Sequence, residues 1–295
     1  EGLRIKDKDG NLPIHSAIET KTELPVSVIK TMIDKFGGAT KIKDKDGNLP
    51  LHSCFHYLHG RQLVDYASVL LDVDPKSAHV KSKKYGNLLH YVCHQKPISL
   101  ALVQKLCNDP QAALAKDREG NLPIHFVVER KDISTNMIDV ILALIRVNPS
   151  TMSVKDKDGN LPLHSAIESG DKIPITVLKE MLDAFPGAAV VLDKDKNTPL
   201  HSACECRVKD IFNIVQMLLE ADSEGVAFKT KDRDGNLAIH SACEKIGVPG
   251  KIQARVIHVL MEAYPEGLRI KDKDGNLPIH SAIETKTELP VSVIK

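Results

Sequence analysis

The sequence predicts an all-α solenoid of stacked helix–turn–helix units, and three observations carry that prediction. A phrase reading Asp-Lys-Asp-Gly-Asn-Leu-Pro-Ile-His-Ser-Ala at residues 7–17 returns in variant form along the whole chain. Its histidine recurs at His15, His52, His90, His125, His164, His201, His240 and His280. The successive spacings of 37, 38, 35, 39, 37, 39 and 40 residues have the regularity of one supersecondary unit per repeat. Prolines stand where two helices per unit should open, and a 1, 3, 1, 3 spacing of apolar residues follows the second of them. The composition fits as well. Hydrophobic residues make up 42% of the 295, yet aromatics are 4% and tryptophan is absent. Such a core must be Leu, Ile, Val and Ala on closely approaching helices.

Each unit opens on a turn. In Lys6-Asp7-Lys8-Asp9-Gly10-Asn11 the glycine supplies positive φ without steric cost, while Asp and Asn bond nearby backbone. Proline follows at 13, 50, 123, 162, 199 and 278, the first helical position, where its missing N–H costs nothing. A short helix is expected from there through His15-Ser16-Ala17-Ile18. A second helix should open at Pro25, Pro97 or Pro174 and carry one apolar face, in the first unit Val28, Ile29, Met32, Ile33 and Phe36. It should end at Gly37-Gly38, or at Pro186-Gly187. Helices this short are marginal alone and persist by stacking.

A longer period lies over the first. Residues 1–30 and 266–295 are identical, whereas 1–30 matches 150–179 at 16 of 30 positions and 38–67 at 11. Ordinary divergence does not leave one pair untouched. The expectation is a 265-residue super-repeat, with residues 1–295 forming one continuous solenoid of about seven and a half repeats cut from a longer array.

The phrase resembles the ankyrin repeat along the whole chain. Thr198-Pro199-Leu200-His201-Ser202-Ala203 matches the family motif outright, and other units carry Leu for Thr, as in Leu49-Pro50-Leu51-His52. Those units lack the hydroxyl that, in the family, bonds the following histidine. The third unit drops the proline (Asn87-Leu88-Leu89-His90), and the seventh carries Ala238 in its place. The units run about five residues beyond the usual 33, with the surplus between the helices, as at Thr20–Leu24 and Ser169–Ile173, while the sequence varies most in the inter-helix segments His56–Arg61, Arg130–Ser134 and Cys206–Asp210. The resemblance implies an α-solenoid with projecting turns or hairpins, and binding or scaffolding rather than catalysis.

Forty basic residues against thirty-nine acidic give a net charge of +1, which supplies no field for nucleic acid or an anionic membrane. The longest apolar run, Val140 to Ile145, is far short of the ~18 residues of a membrane span. Asp-x-Asp-Gly-Asn resembles the start of a calcium loop, but counting from Asp7 position six is Leu12 and position twelve Ile18, so a solvated turn is the better reading. His52, Cys54, His56 and His59 form one local cluster of metal-ligand types, and His201, Cys204 and Cys206 another. In both, the motif histidine is expected to make a structural bond between neighbouring units and the cysteine to face the core. No metal, cofactor or catalytic residue is assigned. There is no glycine-rich phosphate loop, no nucleophile elbow and no carboxylate pair outside the turns.

The six cysteines (54, 93, 107, 204, 206, 243) read as thiols, because stacked helices stand roughly 8–10 Å apart and a disulfide needs Cα atoms within about 7 Å. With no Asn-x-Ser/Thr sequon, this points to a reducing interior such as the cytoplasm; a fibre outside the cell can also lack disulfides. The leading functional expectation is a structural filament or scaffold whose partners are neighbouring copies of the super-repeat in a continuing chain. The alternative is a protein-recognition module or adaptor.

Overall fold

The computed structural model describes residues 2–20, 24–81, 87–130, 135–206, 208–244 and 250–284. Among them all regular structure is helical. The chain clusters into two compact units. One comprises Glu1–Arg118, Leu122–Val127 and Ser134–Asn148, the other Glu119–Asn121, Val128–Ile133 and Pro149–Lys295.

The repeats fold as helix pairs. In order these are α1 (Pro13–Glu19) with α2 (Val26–Lys35), α3 (Pro50–Tyr57) with α4 (Gly60–Val73), α5 (Leu88–His94) with α6 (Leu100–Leu106), and α7 (Pro123–Val128) with α8 (Thr135–Val147). There follow α9 (Pro162–Glu168) with α10 (Ile175–Ala184), α11 (Pro199–Glu205) with α12 (Ile211–Ala221), α13 (Ala238–Glu244) with α14 (Gly250–Ala263), and α15 (Pro278–Glu284). First helices stack on first helices and second on second, as α1 on α3 and α2 on α4 do in one compact unit and α11 on α13 and α12 on α14 in the other. The prolines at 13, 50, 123, 162, 199 and 278 each take the first helical position, as the sequence led us to expect.

The second helices open less uniformly. Pro25 and Pro174 are the residues just before α2 and α10, but α6 starts at Leu100, with the Ser99 hydroxyl accepting from the Leu102 N–H at 3.4 Å. Pro97 therefore lies in the loop. Serine provides the cap there because its oxygen can satisfy an amide that proline cannot.

The apolar stripe of the second helices is buried to different extents. In α10, Val177, Leu178, Met181 and Leu182 are all buried. In α2, only Ile29 and Ile33 are, while Val28 and Met32 stay half-exposed. A second feature escaped the sequence reading. Each second helix is followed by a short 3-10 turn, for example Gly37–Lys41, Pro75–His79, Pro149–Ser153, Pro186–Val190 and Pro265–Arg269. Three of these turns sit beneath an aromatic ring. A Cβ on Gly38 would stand 3.2 Å from the Phe36 ring, and one on Gly187 equally close to that of Phe185. One on Gly267 would meet Tyr264 at 2.9 Å. The aromatic ring and the bare backbone are packed as one element.

Of the inter-helix segments, His56–Arg61 and Ser169–Ile173 are described, the first leading straight into α4 and the second forming a turn. The others fall wholly or partly on residues 21–23, 131–134 and 207, and the end of the repeated segment on 285–295; these lie outside the described residues. Among the described residues no helix is long and apolar enough to cross a membrane.

Candidate protein-interaction surface

The surface is built from the turns upward. In 7–11, the Asp7 carboxylate accepts from the Asp9 and Asn11 amides at 2.9 Å each, the Asp7 N–H donates to the Asn11 carbonyl, and Gly10 sits at φ +76°. The same bonds recur at Asp44, Asp156, Asp193 and Asp232. One oxygen of the first aspartate is thus committed to turn amides. At the fourth of these turns Lys196 replaces glycine and is held at φ +66°, a left-handed conformation that costs a non-glycine residue about 1–2 kcal/mol.

Successive turns are laced together. Lys194, Arg233 and Lys273 donate their backbone N–H to the carbonyls of Asp158, Asp195 and Asp234 at 3.4, 2.7 and 3.0 Å. Their side chains pair with the same aspartates at 3.6, 2.7 and 3.8 Å. In the other compact unit Lys45 pairs with Asp9 at 2.5 Å. The alternation of Lys and Asp therefore matches a cation of one turn to the second aspartate of the turn before. These pairs are exposed, so each contributes little to stability on its own; the backbone bonds between turns set the spacing of the tips.

The motif histidines lie directly beneath. At His15, His52, His125, His164, His201, His240 and His280 the ring Nδ1 accepts the backbone N–H three residues earlier, at 2.9–3.2 Å. That fixes the proton on Nε2. From there His52 donates to the Val80 carbonyl at 2.8 Å, His201 to Asn236 at 3.3 Å and His240 to Ile270 at 3.1 Å. Each of those three bonds reaches the following repeat. Burial pushes the imidazoles of His15, His52, His164, His201 and His240 below their ordinary value. At Thr198 the hydroxyl adds a second bond to His201 Nδ1, at 2.8 Å. Where leucine replaces the threonine, that bond is gone and the backbone bond stays. The third unit departs from the pattern, because Asn87 Oδ1 accepts from the Leu89 N–H at 2.8 Å and takes over the cap.

A carboxylate ladder runs beside the histidines, and the sequence reading missed it. Ser202, Ser241 and Ser281 donate to Glu168, Glu205 and Glu244 of the preceding repeat at 3.0, 3.4 and 3.1 Å, and Asn11 Nδ2 donates to Glu19 at 3.2 Å. Burial raises Glu19, Glu129, Glu168 and Glu205 above the ordinary carboxylate value; in Glu168 and Glu205 the serine bond opposes that shift. The available signal was a glutamate four residues after the motif histidine, at 19, 129, 168, 205, 244 and 284.

Between the tips and the first helices a cavity of about 490 Å³ opens in the first compact unit. Its floor includes Asn11, Glu19, Asn48 and Ser53, its turn side Asp44 and Lys45, and its rim His56 and Tyr57. The two rim rings stand edge to face with centroids 4.3 Å apart, and His56 is exposed. The cluster of His52, Cys54, His56 and His59 does not converge. Both His52 nitrogens are bonded, Cys54 is wholly buried, and His56 and His59 face solvent. Cys204 is likewise buried, whereas Cys206 is half-exposed. Among the described residues no three His, Cys, Asp or Glu side chains come together to hold a metal ion.

Residues 133–227 match a family model described as ankyrin repeats (3 copies). The ankyrin repeat domain of Bcl-3, described as a unique member of the IkappaB protein family, superposes on 81% of this chain and 95% of its own, with a TM-score of 0.52 and 20% identity. The fold is an ankyrin-repeat solenoid. At that identity the likeness concerns the ankyrin fold alone. No curated protein matches the sequence.

Proposed function

We propose that the chain is an ankyrin-type protein-recognition module, and that its ligand seats between the turn tips and α1 and α3. The observation that carries this reading is the cavity at 9–57. Its polar floor is held by turn amides and by the Asn11–Glu19 bond, so it needs no ordering on binding, and preorganisation of that kind limits the entropic cost. Its rim offers Tyr57 beside His56, and an aromatic anchor at the edge of a polar pocket is a common energetic centre of protein interfaces. Aspartates 9, 44 and 46 and Glu19 outnumber Lys45 in the lining, so the ligand segment should present a basic side chain.

The test is to select binders from a random peptide library against the whole chain and remeasure them on Tyr57→Ala. A loss of affinity of about thirtyfold or more, the size of an interface hot spot, supports the reading. Binders indifferent to Tyr57→Ala but abolished by Arg255→Ala, on the exposed side of α14, overturn it.

A second reading keeps the filament or scaffold, and the identity of residues 1–30 with 266–295 favours it. In it the chain is one period of a continuous array whose partners are further copies of the super-repeat. Sequencing the transcript across both segments tests it: further 265-residue periods support the array, and unrelated flanking sequence removes it. In either reading the eight motif histidines are structural ties and no residue is catalytic.

A further inference from the structure

One gap in the carboxylate ladder lies inside the cavity. In the second compact unit the serine after the motif histidine closes each rung: Ser202, Ser241 and Ser281 donate to Glu168, Glu205 and Glu244 at 3.0, 3.4 and 3.1 Å. The turn asparagines there keep to their own turns, Asn197 and Asn236 Nδ2 donating to the second oxygens of Asp193 and Asp232 at 3.2 Å each. Between the first two repeats the partners are exchanged. Asn11 Nδ2 crosses to Glu19 at 3.2 Å. The serine at the ladder position is Ser53, and among the described residues its hydroxyl has no hydrogen-bond partner. Yet Ser53 is only 3% exposed, and it lines the cavity beside Glu19. The rung between Glu129 and Ser165 is absent as well among the described residues, but neither of those lines this cavity.

The charge is incomplete at the same place. Burial, with the carboxylates of Asp44, Asp7, Asp9 and Asp46 around it, raises Glu19 above the ordinary carboxylate value. Lys45 does not relieve it, because its ammonium is held by Asp9 at 2.5 Å. Asp44 is spent on its own turn: one oxygen accepts the Asp46 and Asn48 amides at 2.8 Å each, and the other accepts Asn48 Nδ2 at 3.4 Å. The acceptors left over in the floor are the second Glu19 oxygen and the Ser53 hydroxyl. A buried hydroxyl without a bond is costly, so the pair forms a site that wants donors and positive charge together.

That demand selects among cations. A guanidinium presents five N–H donors in a rigid planar fork and is weakly hydrated, whereas an ammonium is a compact, strongly hydrated point charge. A metal ion fits less well, since among the described residues no three His, Cys, Asp or Glu side chains come together.

We propose that the basic side chain received by the cavity is an arginine, whose guanidinium restores the missing rung by donating to Glu19 and to the Ser53 hydroxyl oxygen at once. Ser53 is then the residue that makes the site choose arginine over lysine. The inference rests on the recognition reading, because the arginine reaches the floor past the His56 and Tyr57 rim.

Two measurements test it. The first needs no ligand. Ser202→Ala removes a bond to half-buried Glu168 and should lower the urea midpoint, whereas Ser53→Ala removes none and should leave it unchanged. Equal losses would mean that Ser53 is already bonded in the free chain, and would overturn the proposal. The second uses the library-selected peptides that lose affinity on Tyr57→Ala. Replacing arginine by lysine in such a peptide should weaken it by about tenfold or more, the weight of a hydrogen bond to a charged group. Ser53→Ala in the whole chain should weaken the arginine peptide equally and leave the lysine peptide within about twofold of its wild-type affinity, the signature of coupled partners in a double-mutant cycle. Tyr57-dependent peptides without arginine, arginine and lysine forms that bind alike, or two changes that simply add overturn the arginine assignment and leave the recognition reading standing. Peptides indifferent to Tyr57→Ala and abolished by Arg255→Ala remove both.

Discussion

Replacing His201 by alanine should cost far more than replacing His280, although both occupy the same place in the motif. His201 is fully buried. Its Nδ1 accepts from the Thr198 amide at 3.2 Å and the Thr198 hydroxyl at 2.8 Å, and its Nε2 donates to the Asn236 carbonyl at 3.3 Å. Three bonds at about 0.5–1.5 kcal/mol each, together with the void left by the ring, put His201→Ala at about 3–5 kcal/mol. His280 is exposed and makes one such bond, from the Leu277 amide at 2.9 Å. Its loss should resemble that of an ordinary helix cap, about 0.5–1 kcal/mol. Urea unfolding followed by circular dichroism at pH 7.5 measures both, with the slope checked for constancy so that the midpoints can be compared. Costs within about 1 kcal/mol of each other, smaller than the two-bond difference and the ring void together imply, would refute the claim that the imidazole ties one repeat to the next.

Acid should weaken the fold through the buried rings of His52, His201 and His240. Their folded values lie below 6.5 because of burial, so the stability they contribute is complete above pH 6.5 and is lost as pH falls through the folded values. Glu168 and Glu205 oppose this. Burial raises them above 4.5, so their ionisation costs stability that returns as pH falls back through their folded values. Glu168→Gln with Glu205→Gln should therefore show a steeper fall in urea midpoint from pH 7.5 to 5.5 than the wild type, and a flat profile would count against the assignment. Gly235→Ala should cost more than Gly275→Ala. Both lie near φ +85°, but a Cβ at 235 meets the Lys273 nitrogen at 3.0 Å while one at 275 meets nothing; the left-handed term alone is about 1–2 kcal/mol, and equal urea midpoints would remove the steric part. Burial pushes the Cys107 and Cys243 thiols up to about 12 and holds Cys54 higher still. A thiol reagent should label half-buried Cys206 first and these three only on unfolding; early labelling of Cys54 would contradict the packing.

The helix pairs were legible because the signals that specify them are local. Proline at the first helical position, glycine at positive φ and aspartate bonding its own turn all act within five residues, and the period repeats them. What was not legible depends on neighbours. Spacing marks Val28 and Met32 as part of the apolar stripe, but it does not say how far each is covered, and both stay half-exposed. The Ser241–Glu205 bond joins residues 36 apart, so neither residue announces the other. Pro97 carried a true helix-start signal and was outdone by Ser99, whose hydroxyl could reach an amide. The replacement of threonine by leucine leaves His52 Nδ1 bonded, since it still accepts from the Leu49 backbone N–H, which every residue but proline supplies. The cavity at 9–57 had no signature of its own, because it forms between consecutive turns.

The most direct measurement of the recognition reading is hydrogen–deuterium exchange of the whole chain with and without a library-selected binder. Seating between the turn tips and the first helices predicts added protection at residues 44–57, with the amides of α2 and of 60–73 in α4 unchanged. Protection confined to α2 and α4, with 44–57 exchanging as in the unbound chain, would contradict it.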